Sequence, residues 1–220
     1  MYRKDIKSFY SQLIETMFAN RLNFKKLAKK AKDDLEHCHD ETQKSKLIND
    51  VSRFDLKQKA VKISMNSLYG AIGNEYFRFF DVDNAEAVTL TGQYIIQYIE
   101  HACDRHMNEL MGTKGVQYVV YCDTDSVYIS MDDLVKSVLP KERDTVKIIN
   151  FLDKVCKSEL QPYIDKVCSE ISFEKLNGMG DLIKMIRDVL TDKSIWTSKK
   201  RYIMNVYDSE GVRYEKPALS

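Results

Sequence analysis

Two carboxylates separated by one residue are the part of this sequence best suited to metal chemistry. Asp123 and Asp125 flank Thr124, and stretches rich in β-branched and aromatic residues lie on both sides, at 118–121 and 127–129. Strand, acidic turn and strand predict a β-hairpin whose tip aims both carboxylates at one point. Convergent carboxylates repel unless a cation lies between them, and Mg²⁺ favours carboxylate oxygens together with substrate phosphates. The alternative interpretation is an ordinary solvated turn.

A second group combines a cation, an amide and an aromatic ring on one helical face. Lys62, Asn66 and Tyr69 occupy positions i, i+4 and i+7 of a predicted helix, so they share a face. The lysine suits a phosphate, and the tyrosine suits a sugar or a base. The stripe therefore fits a phosphate-bearing ligand with a planar group. The alternative is a solvated stripe in which Tyr69 closes the helix.

Two further cations lie on the first predicted helix. Arg21 and Lys25 are four residues apart, and they also share a face. If the first two helices pair antiparallel, both cations can lie opposite Lys62. Together with Asn66 they would then form a cradle for a triphosphate. The alternative is a solvated face, because lysine-rich faces are common on exposed helices.

A basic run, Lys199-Lys200-Arg201, opens a predicted strand at Tyr202. Its positive charges suit phosphate contacts to a nucleic-acid backbone. They equally suit an edge strand that charge protects from pairing with other chains. Composition alone leaves both interpretations open.

These groups need elements to position them, and hydrophobic spacing predicts two helices at the start of the chain. Apolar residues recur at helical spacing over residues 5–36 and again from Leu47 to Leu68, with a short polar link between the two segments. Gly70 and Gly73 are predicted helix breaks. The sequence therefore predicts an antiparallel helical hairpin.

The rest of the chain alternates between strand and helix patterns. The predicted elements are a strand at 76–80, a helix from 83 to about 110, the acidic hairpin, a helix at 144–171, a strand at 183–189 and a hairpin arm at 202–207. Asp83, with Glu86 three residues on, is the predicted N-cap of the helix that starts there, and Gly112 and Gly115 end that helix. The predicted fold class is α+β, an antiparallel helical hairpin followed by an antiparallel sheet with helices on one face.

Composition narrows the possible functions. The chain carries 34 basic and 33 acidic residues, a net charge of +1, so nucleic-acid binding would depend on local basic patches. Five cysteines without regular spacing favour a reducing compartment over a disulfide framework. The sequence contains no apolar run long enough to predict a membrane span.

The order of these groups along the chain resembles that of the family B DNA polymerases, and among them the replicative polymerases of T-even-type bacteriophages. Two segments are similar to that group's fingers-to-palm junction and late palm: Asn66-Ser67-Leu68-Tyr69-Gly70-Ala71-Ile72-Gly73-Asn74 with Phe77-Arg78, and Lys199-Lys200-Arg201-Tyr202 with Asn205-Val206-Tyr207-Asp208. The resemblance covers essentially all 220 residues. It implies a fingers helical hairpin at 1–70 and a partial palm segment at 71–220.

The resemblance also implies the chemistry of the acidic pair. Asp123 and Asp125 would be the catalytic carboxylates. Asp125 would ligate two Mg²⁺ ions, with Mn²⁺ as the alternative metal, and Asp123 would lie beside them. Asp188 falls where the family often has a further acidic residue near the metals.

The remaining groups take binding roles by the same resemblance. Lys62, Asn66, Arg21 and Lys25 would contact the phosphates of the incoming dNTP, and Tyr69 would line the pocket of the nascent base pair. Primer-template DNA would be held by the basic run and the residue after it, Lys199, Lys200, Arg201 and Tyr202.

Three parts of the family pattern are missing from this sequence. They are the first polymerase motif, whose aspartate supplies the other metal-bridging carboxylate, the proofreading exonuclease domain and the thumb. We therefore expect activity to require the missing polymerase portion, in cis or in trans, and a sliding clamp to bind through the absent C-terminal part. The expected setting is a phage replisome in the cytoplasm of an infected bacterium, without membrane attachment.

Two other functions stay open at this point. One is a non-catalytic nucleic-acid-binding fragment of a split or truncated polymerase, in which the metal site never completes. The other is a metal-dependent phosphotransferase that is not a polymerase, which would leave Tyr69 and the basic run unexplained.

Overall fold

The structure, a computed structural model, describes residues 5–38, 40–209 and 211–219. They fall into two compact units, one up to Thr89 and one from Leu90 onwards. The elements, in chain order, are α1 (Phe9–Glu36), α2 (Glu41–Ile72), α3 (Val82–Met111), β1 (Val119–Asp123), β2 (Ser126–Ile129), α4 (Asp132–Val138), α5 (Thr145–Val155), α6 (Gln161–Glu170), β3 (Val189–Ser198), β4 (Arg201–Ser209) and β5 (Val212–Leu219). The fold is α+β, as predicted, whereas the division into fingers and palm stays a prediction.

The first unit is built on a helical hairpin of α1 and α2. Asp40 begins α2 by accepting the Thr42 backbone N–H at 2.9 Å, the usual way in which an N-cap satisfies a free helix donor. Arg21 Nε donates to Gln58 Oε1 at 3.4 Å, and the Lys57 ammonium lies 5.5 Å from the centre of the Phe24 ring. Residues of increasing number in α1 therefore contact residues of decreasing number in α2. The predicted antiparallel pairing is confirmed.

The predicted helix break at Gly70 and the predicted strand at 76–80 are wrong, whereas the predicted break at Gly73 is confirmed. The helix α2 continues through Gly70 and ends at Gly73, because a single glycine costs a helix only about 1 kcal/mol and the helical pattern continues around it. Residues 76–80 form turns instead of a strand. The N–H groups of Phe77 and Phe80 donate to carbonyls three residues earlier, each at 2.9 Å. These local bonds satisfy the backbone without a partner strand.

The N-cap of α3 is Asp81 and not Asp83. Its carboxylate accepts the Asn84 backbone N–H at 3.0 Å, and its carbonyl accepts the Ala85 N–H at 3.1 Å. Asp83 lies inside the first turn, where a negative charge also suits the helix dipole. Both aspartates thus have structural roles here.

The second unit packs around α3. Ile99, Ala102 and Cys103 of α3 are buried against Cys168 of α6 and Ile171 just after it. Gly112 and Gly115 end α3 as predicted, with φ of +64° and +71°, a left-handed backbone that glycine adopts without strain. The predicted helical region at 144–171 is confirmed, with α5 and α6 joined by a π-helical turn at Cys156–Leu160.

Two antiparallel sheets complete the second unit. One contains β1 and β2, and the other has the order β3-β4-β5. The predicted hairpin arm at 202–207 lies within β4. The predicted strand at 183–189 is wrong, because β3 begins only at Val189. Ile183 and Met185 do alternate inward onto the α3 core, but the Met185 carbonyl is satisfied by the Gln161 side chain at 2.8 Å and not by a neighbouring strand.

Candidate functional site

The acidic turn, Asp123 to Ser126, connects β1 to β2 in the second unit. Asp123 pairs with Ser126 across the hairpin, so Thr124 and Asp125 form a two-residue turn. Thr124 has φ of +54°, a conformation that is uncommon for a β-branched residue and costs roughly 1–3 kcal/mol. Its hydroxyl donates to Asp123 Oδ1 at 2.9 Å. Asp123 is half-buried, whereas Asp125 is exposed at the tip.

The hairpin is anchored to α3 through one carboxylate. Asp104 Oδ1 accepts the backbone N–H groups of Tyr118 at 2.7 Å and Val119 at 2.8 Å. One acceptor oxygen thus fixes the residue at which β1 begins. On the core-facing side of the hairpin, Val127 packs against the α3 core, and burial raises the pKa of the Cys122 thiol to about 11. The predicted strand-turn-strand is therefore confirmed and rigidly attached.

The opposite face of the hairpin carries aromatic rings. Tyr121 and Tyr128 pair across β1 and β2, and Trp196 and Tyr202 pair across β3 and β4. The two pairs pack against each other as an aromatic stack. Ring centres lie 5.9 Å apart for Tyr121 and Trp196 and 5.8 Å apart for Tyr128 and Tyr202. Burial, followed by a hydrogen bond with Tyr202, raises the pKa of Tyr128 to about 12.

The basic turn, Ser198 to Arg201, lies at the end of the second aromatic pair. Ser198 pairs with Arg201, so Lys199 and Lys200 form another two-residue turn. Lys200 has φ of +62°, and its backbone N–H donates to the Tyr121 hydroxyl at 3.0 Å. The side chains of Lys199, Lys200 and Arg201 are exposed. The structure therefore brings the predicted metal-binding turn and the predicted DNA-binding turn together within one unit.

The predicted nucleotide cradle lies in the first unit. Arg21 contacts Gln58, and Lys62 follows Gln58 by about one helical turn, so Arg21 and Lys62 stand roughly 6 Å apart along the helix axes. Because the helices are antiparallel, Lys25 lies about one turn further from Lys62 than Arg21 does. Lys62 and Asn66 are exposed, whereas Arg21 and Lys25 are half-buried.

Tyr69 closes the same unit by joining α2 to the start of α3. Its hydroxyl lies 2.6 Å from Thr89 Oγ1 and donates to the Ala85 carbonyl at 3.4 Å. The side chain is still 41% exposed, so the ring keeps a free face that a ligand could contact.

The third metal candidate is not brought to the acidic pair. Asp188 is exposed directly before β3. In the part of the chain that the structure describes, no three His, Cys, Asp or Glu side chains converge as a metal-binding group. Of the three predicted metal ligands, Asp123 and Asp125 share the acidic turn and Asp188 does not.

Sequence reasoning missed a buried ionic network at the base of the three-stranded sheet. Asp208, 1% exposed, binds the guanidinium groups of Arg187 and Arg213, and both arginines also contact Asp153 on α5. One signal was available, because Asp208 continues the period-two pattern of buried Met204 and Val206. A charge at a core position must be paired, but the sequence does not identify the partners.

Comparisons with known proteins give the same family as the motifs. The sequence model of DNA polymerase family B matches residues 2–139, which include the cradle and the acidic turn but not Asp188 or the basic turn. The DNA-directed DNA polymerase of Escherichia phage RB69 is 41% identical over 167 residues, which make up 72% of this chain and 18% of the relative. That of Enterobacteria phage T4 is 35% identical with the same coverage. A DNA polymerase beta of African swine fever virus is 31% identical over 154 residues, 67% of this chain and 12% of the relative.

This chain thus spans less than a fifth of the length of these relatives. None of the helices in the described ranges has the length and apolarity needed to cross a membrane. The match to the family model covers more than half of the chain, and the phage relatives agree with the motif order. The chain belongs to DNA polymerase family B and represents a segment of the T4-type phage polymerases.

Proposed function

We propose that this chain is the fingers and palm segment of a DNA-directed DNA polymerase, which adds dNTPs to a primer 3′-hydroxyl by two-metal nucleotidyl transfer. The observation that carries the proposal is the pair of turns in the second unit. An acidic turn suited to metal ions and a basic turn suited to DNA phosphates are held together by one aromatic stack.

The donor set of the acidic turn fits Mg²⁺. In proteins this ion is commonly held by one or two carboxylates, with water and substrate phosphates completing an octahedron, and Asp123 and Asp125 supply two carboxylates. Mn²⁺ is the alternative metal, because it accepts the same oxygen donors. Bound metal would stabilise the entering and leaving oxygens of the transfer. The Thr124 hydroxyl, which donates to Asp123 Oδ1, would orient that carboxylate.

The first unit would bind the incoming nucleotide. Arg21 and Lys62, about one turn apart on facing helices, would neutralise the triphosphate, with Lys25 and Asn66 extending the cradle along the same helices. Tyr69 would present its exposed ring near the sugar and the nascent base pair. The cations of the cradle would reach the phosphates only when α1 and α2 move. Nucleotide binding would thus be coupled to closure of the fingers.

The second unit would bind primer-template DNA. Lys199, Lys200 and Arg201 expose positive charge at the basic turn, and Tyr202 joins that turn to the aromatic stack. Primer phosphates held there would lie close to the acidic turn, as chemistry at a primer terminus requires.

The phage relatives support a proposed setting for the chain. It would act in a phage replisome in the cytoplasm of an infected bacterium, with the missing polymerase portion in cis or in trans. A sliding clamp bound through a C-terminal segment would be a further partner.

The proposal is tested by separating nucleotide binding from DNA binding. In the enzyme assembled with the missing portion, Arg21→Ala, Lys25→Ala and Lys62→Ala should weaken dNTP binding or slow incorporation while leaving primer-template affinity nearly intact. Lys200→Ala should do the reverse and flatten the salt dependence of DNA binding, because each lost phosphate contact reduces counterion release.

Matched controls exist on the same elements. Lys59→Ala removes a lysine of α2 that is paired with Asp55, and Lys193→Ala removes an exposed lysine of β3. Both should behave like the unmodified chain in dNTP-dependent rates and in DNA titrations at several salt concentrations. If the Lys62 and Lys200 variants behaved alike, the separation into nucleotide and DNA contacts would be wrong.

The second candidate function is a non-catalytic nucleic-acid-binding fragment. The observation that favours it is that the described residues hold no group of three metal-ligating side chains. Under this alternative, Lys200→Ala would still weaken DNA binding, but the assembled protein would show no metal-dependent nucleotide incorporation for Asp125→Ala to reduce.

A further inference from the structure

We propose that Tyr121 is a positioning residue whose hydroxyl holds the basic turn in place against the hairpin that carries the acidic turn. The inference rests on the proposed function, because it concerns how the DNA contact is aligned with the carboxylates. It goes further in assigning a role to a residue that belongs to neither turn.

The backbone of Lys200 has a conformation that needs stabilising from outside the turn. Its φ of +62° is disfavoured for any residue with a Cβ atom, and lysine has no short side chain with which to stabilise that conformation locally. Ser198 and Arg201 form the last pair before the turn, so the Lys200 N–H lies outside the strand ladder. The Tyr121 hydroxyl accepts that N–H at 3.0 Å and so stabilises the turn from a different sheet.

Tyr121 lies on the same face of its strand as one of the acidic residues. Side chains two residues apart in a strand point to the same face, so Tyr121 and Asp123 share a face of β1. On β2, Tyr128 and Ser126 correspond to them across the hairpin. The residue that holds the basic turn is therefore the neighbour, on the same face, of a candidate catalytic carboxylate.

The Tyr121 ring is held in place by three neighbouring aromatic rings. The Tyr121 ring lies 5.7 Å from the Tyr128 ring, 5.9 Å from the Trp196 ring and 6.2 Å from the Tyr202 ring, centre to centre. Aromatic contacts at these distances are stabilising, and they restrict the direction of the hydroxyl. The hydrogen bond to Lys200 thus starts from a ring that cannot easily reorient.

These observations separate two contributions of Tyr121. The ring belongs to the aromatic stack, which a phenylalanine would preserve. The hydroxyl is the part of the Tyr121 side chain that is hydrogen-bonded to the basic turn. Without it, Lys200 would lose the partner of its N–H, and its ammonium group would sample positions away from the primer phosphates.

The variant Tyr121→Phe tests this separation. Amide hydrogen exchange at Lys200, measured by NMR on the 220-residue chain, should accelerate by roughly 2- to 10-fold, the effect expected for one lost hydrogen bond. Primer-template affinity should fall by a similar factor, with a shallower salt dependence.

The control is Tyr118→Phe, which removes a tyrosine hydroxyl at the start of the same hairpin. That hydroxyl lies 3.0 Å from Thr113 Oγ1 and does not contact the basic turn. Lys200 exchange and the salt dependence should stay unchanged in this variant. A purely structural role of Tyr121 would instead lower the melting temperature without selectively affecting Lys200.

The outcomes are distinguishable from a failure of the proposed function. If Lys200→Ala weakens DNA binding but Tyr121→Phe changes neither Lys200 exchange nor the salt dependence, the positioning role is wrong and the DNA contact stands. Faster exchange at Lys200 with unchanged DNA affinity would also overturn the positioning role. If Lys200→Ala itself leaves DNA binding unchanged, the basic turn does not bind DNA, and both proposals fail at that step.

Discussion

At the scale of single residues, Asp125 is the most direct test of the proposed chemistry. It is exposed at the tip of the acidic turn, so its replacement should leave the core intact. In an enzyme assembled with the missing portion, we expect Asp125→Ala to slow the chemical step by roughly 10²–10³-fold or more, because a lost ligand removes charge stabilisation in the transition state. Asp123→Ala should slow it equally or less. The measurement is single-turnover nucleotide incorporation.

The control for this prediction is Asp133→Ala, which removes an exposed aspartate from the first turn of α4. Its incorporation rate should match that of the unmodified enzyme. Near-normal incorporation by Asp125→Ala would mean that the acidic turn is an ordinary solvated turn.

At the scale of elements, the buried ionic network ties α5 to the three-stranded sheet. Asp153 accepts hydrogen bonds from Lys157 at 2.7 Å and from Arg187 at 3.1 Å. The Lys157 hydrogen bond is the largest of the effects that lower the pKa of Asp153, and the charges of Arg187 and Arg213 add to it. A carboxyl whose pKa is lower in the folded state stabilises the fold above its unfolded pKa of about 4 and loses that effect as the pH falls through the folded value.

We therefore expect Asp153→Asn to lower the free energy of unfolding at pH 7 by about 1–3 kcal/mol, since it weakens several charge-assisted hydrogen bonds. The difference from the unmodified chain should shrink as the pH falls below about 4, because Asp153 itself then becomes neutral. Denaturant unfolding at several pH values measures both effects. Asp132→Asn is the matched control: its partner Lys136 is 69% exposed, and such pairs contribute about 0–1 kcal/mol. A difference for Asp153→Asn that persisted in strong acid would exclude the ionic explanation.

At the scale of the whole molecule, the proposed metal site predicts that the chain is inactive by itself. Two-metal transfer needs ligands on both sides of the metal pair, and the described residues provide no third converging ligand. We expect the purified 220-residue chain not to extend a primer in the presence of Mg²⁺ and dNTPs. Adding a polypeptide that carries the exonuclease domain and the first-motif strand, together with a thumb if that is separate, should restore extension.

One experimental result would contradict the expected inactivity of the chain alone. If the chain alone extended a primer and Asp125→Ala abolished the reaction, a carboxylate within the chain would have to complete the site. Asp188 would be the first residue to replace, since it falls where the family often has a further acidic residue near the metals, although the structure does not bring it to the acidic turn.

The sequence by itself determined the elements whose signals are local. Helical spacing predicted α1 and α2, β-branched and aromatic runs predicted the acidic hairpin, and the order of motifs indicated the polymerase family. Local signals gave the wrong element where the same sequence pattern is compatible with more than one local structure. The alternation at 183–189 is real, but the inward side chains pack without a partner strand, and the cap of α3 lies at Asp81 because that carboxylate reaches the Asn84 N–H.

Only the tertiary structure decided which distant groups meet. The hydrogen bond from Lys200 to Tyr121 joins residues 79 positions apart. The hydrogen bond from Arg187 to Asp208 joins the segment before β3 to β4. No spacing rule relates such positions, because a side chain's partner across a packed interface is set by how whole elements dock. The sequence therefore determined the chemical groups that this chain can offer, while packing of the aromatic stack decided that the hairpin with the acidic turn and the hairpin with the basic turn contact each other.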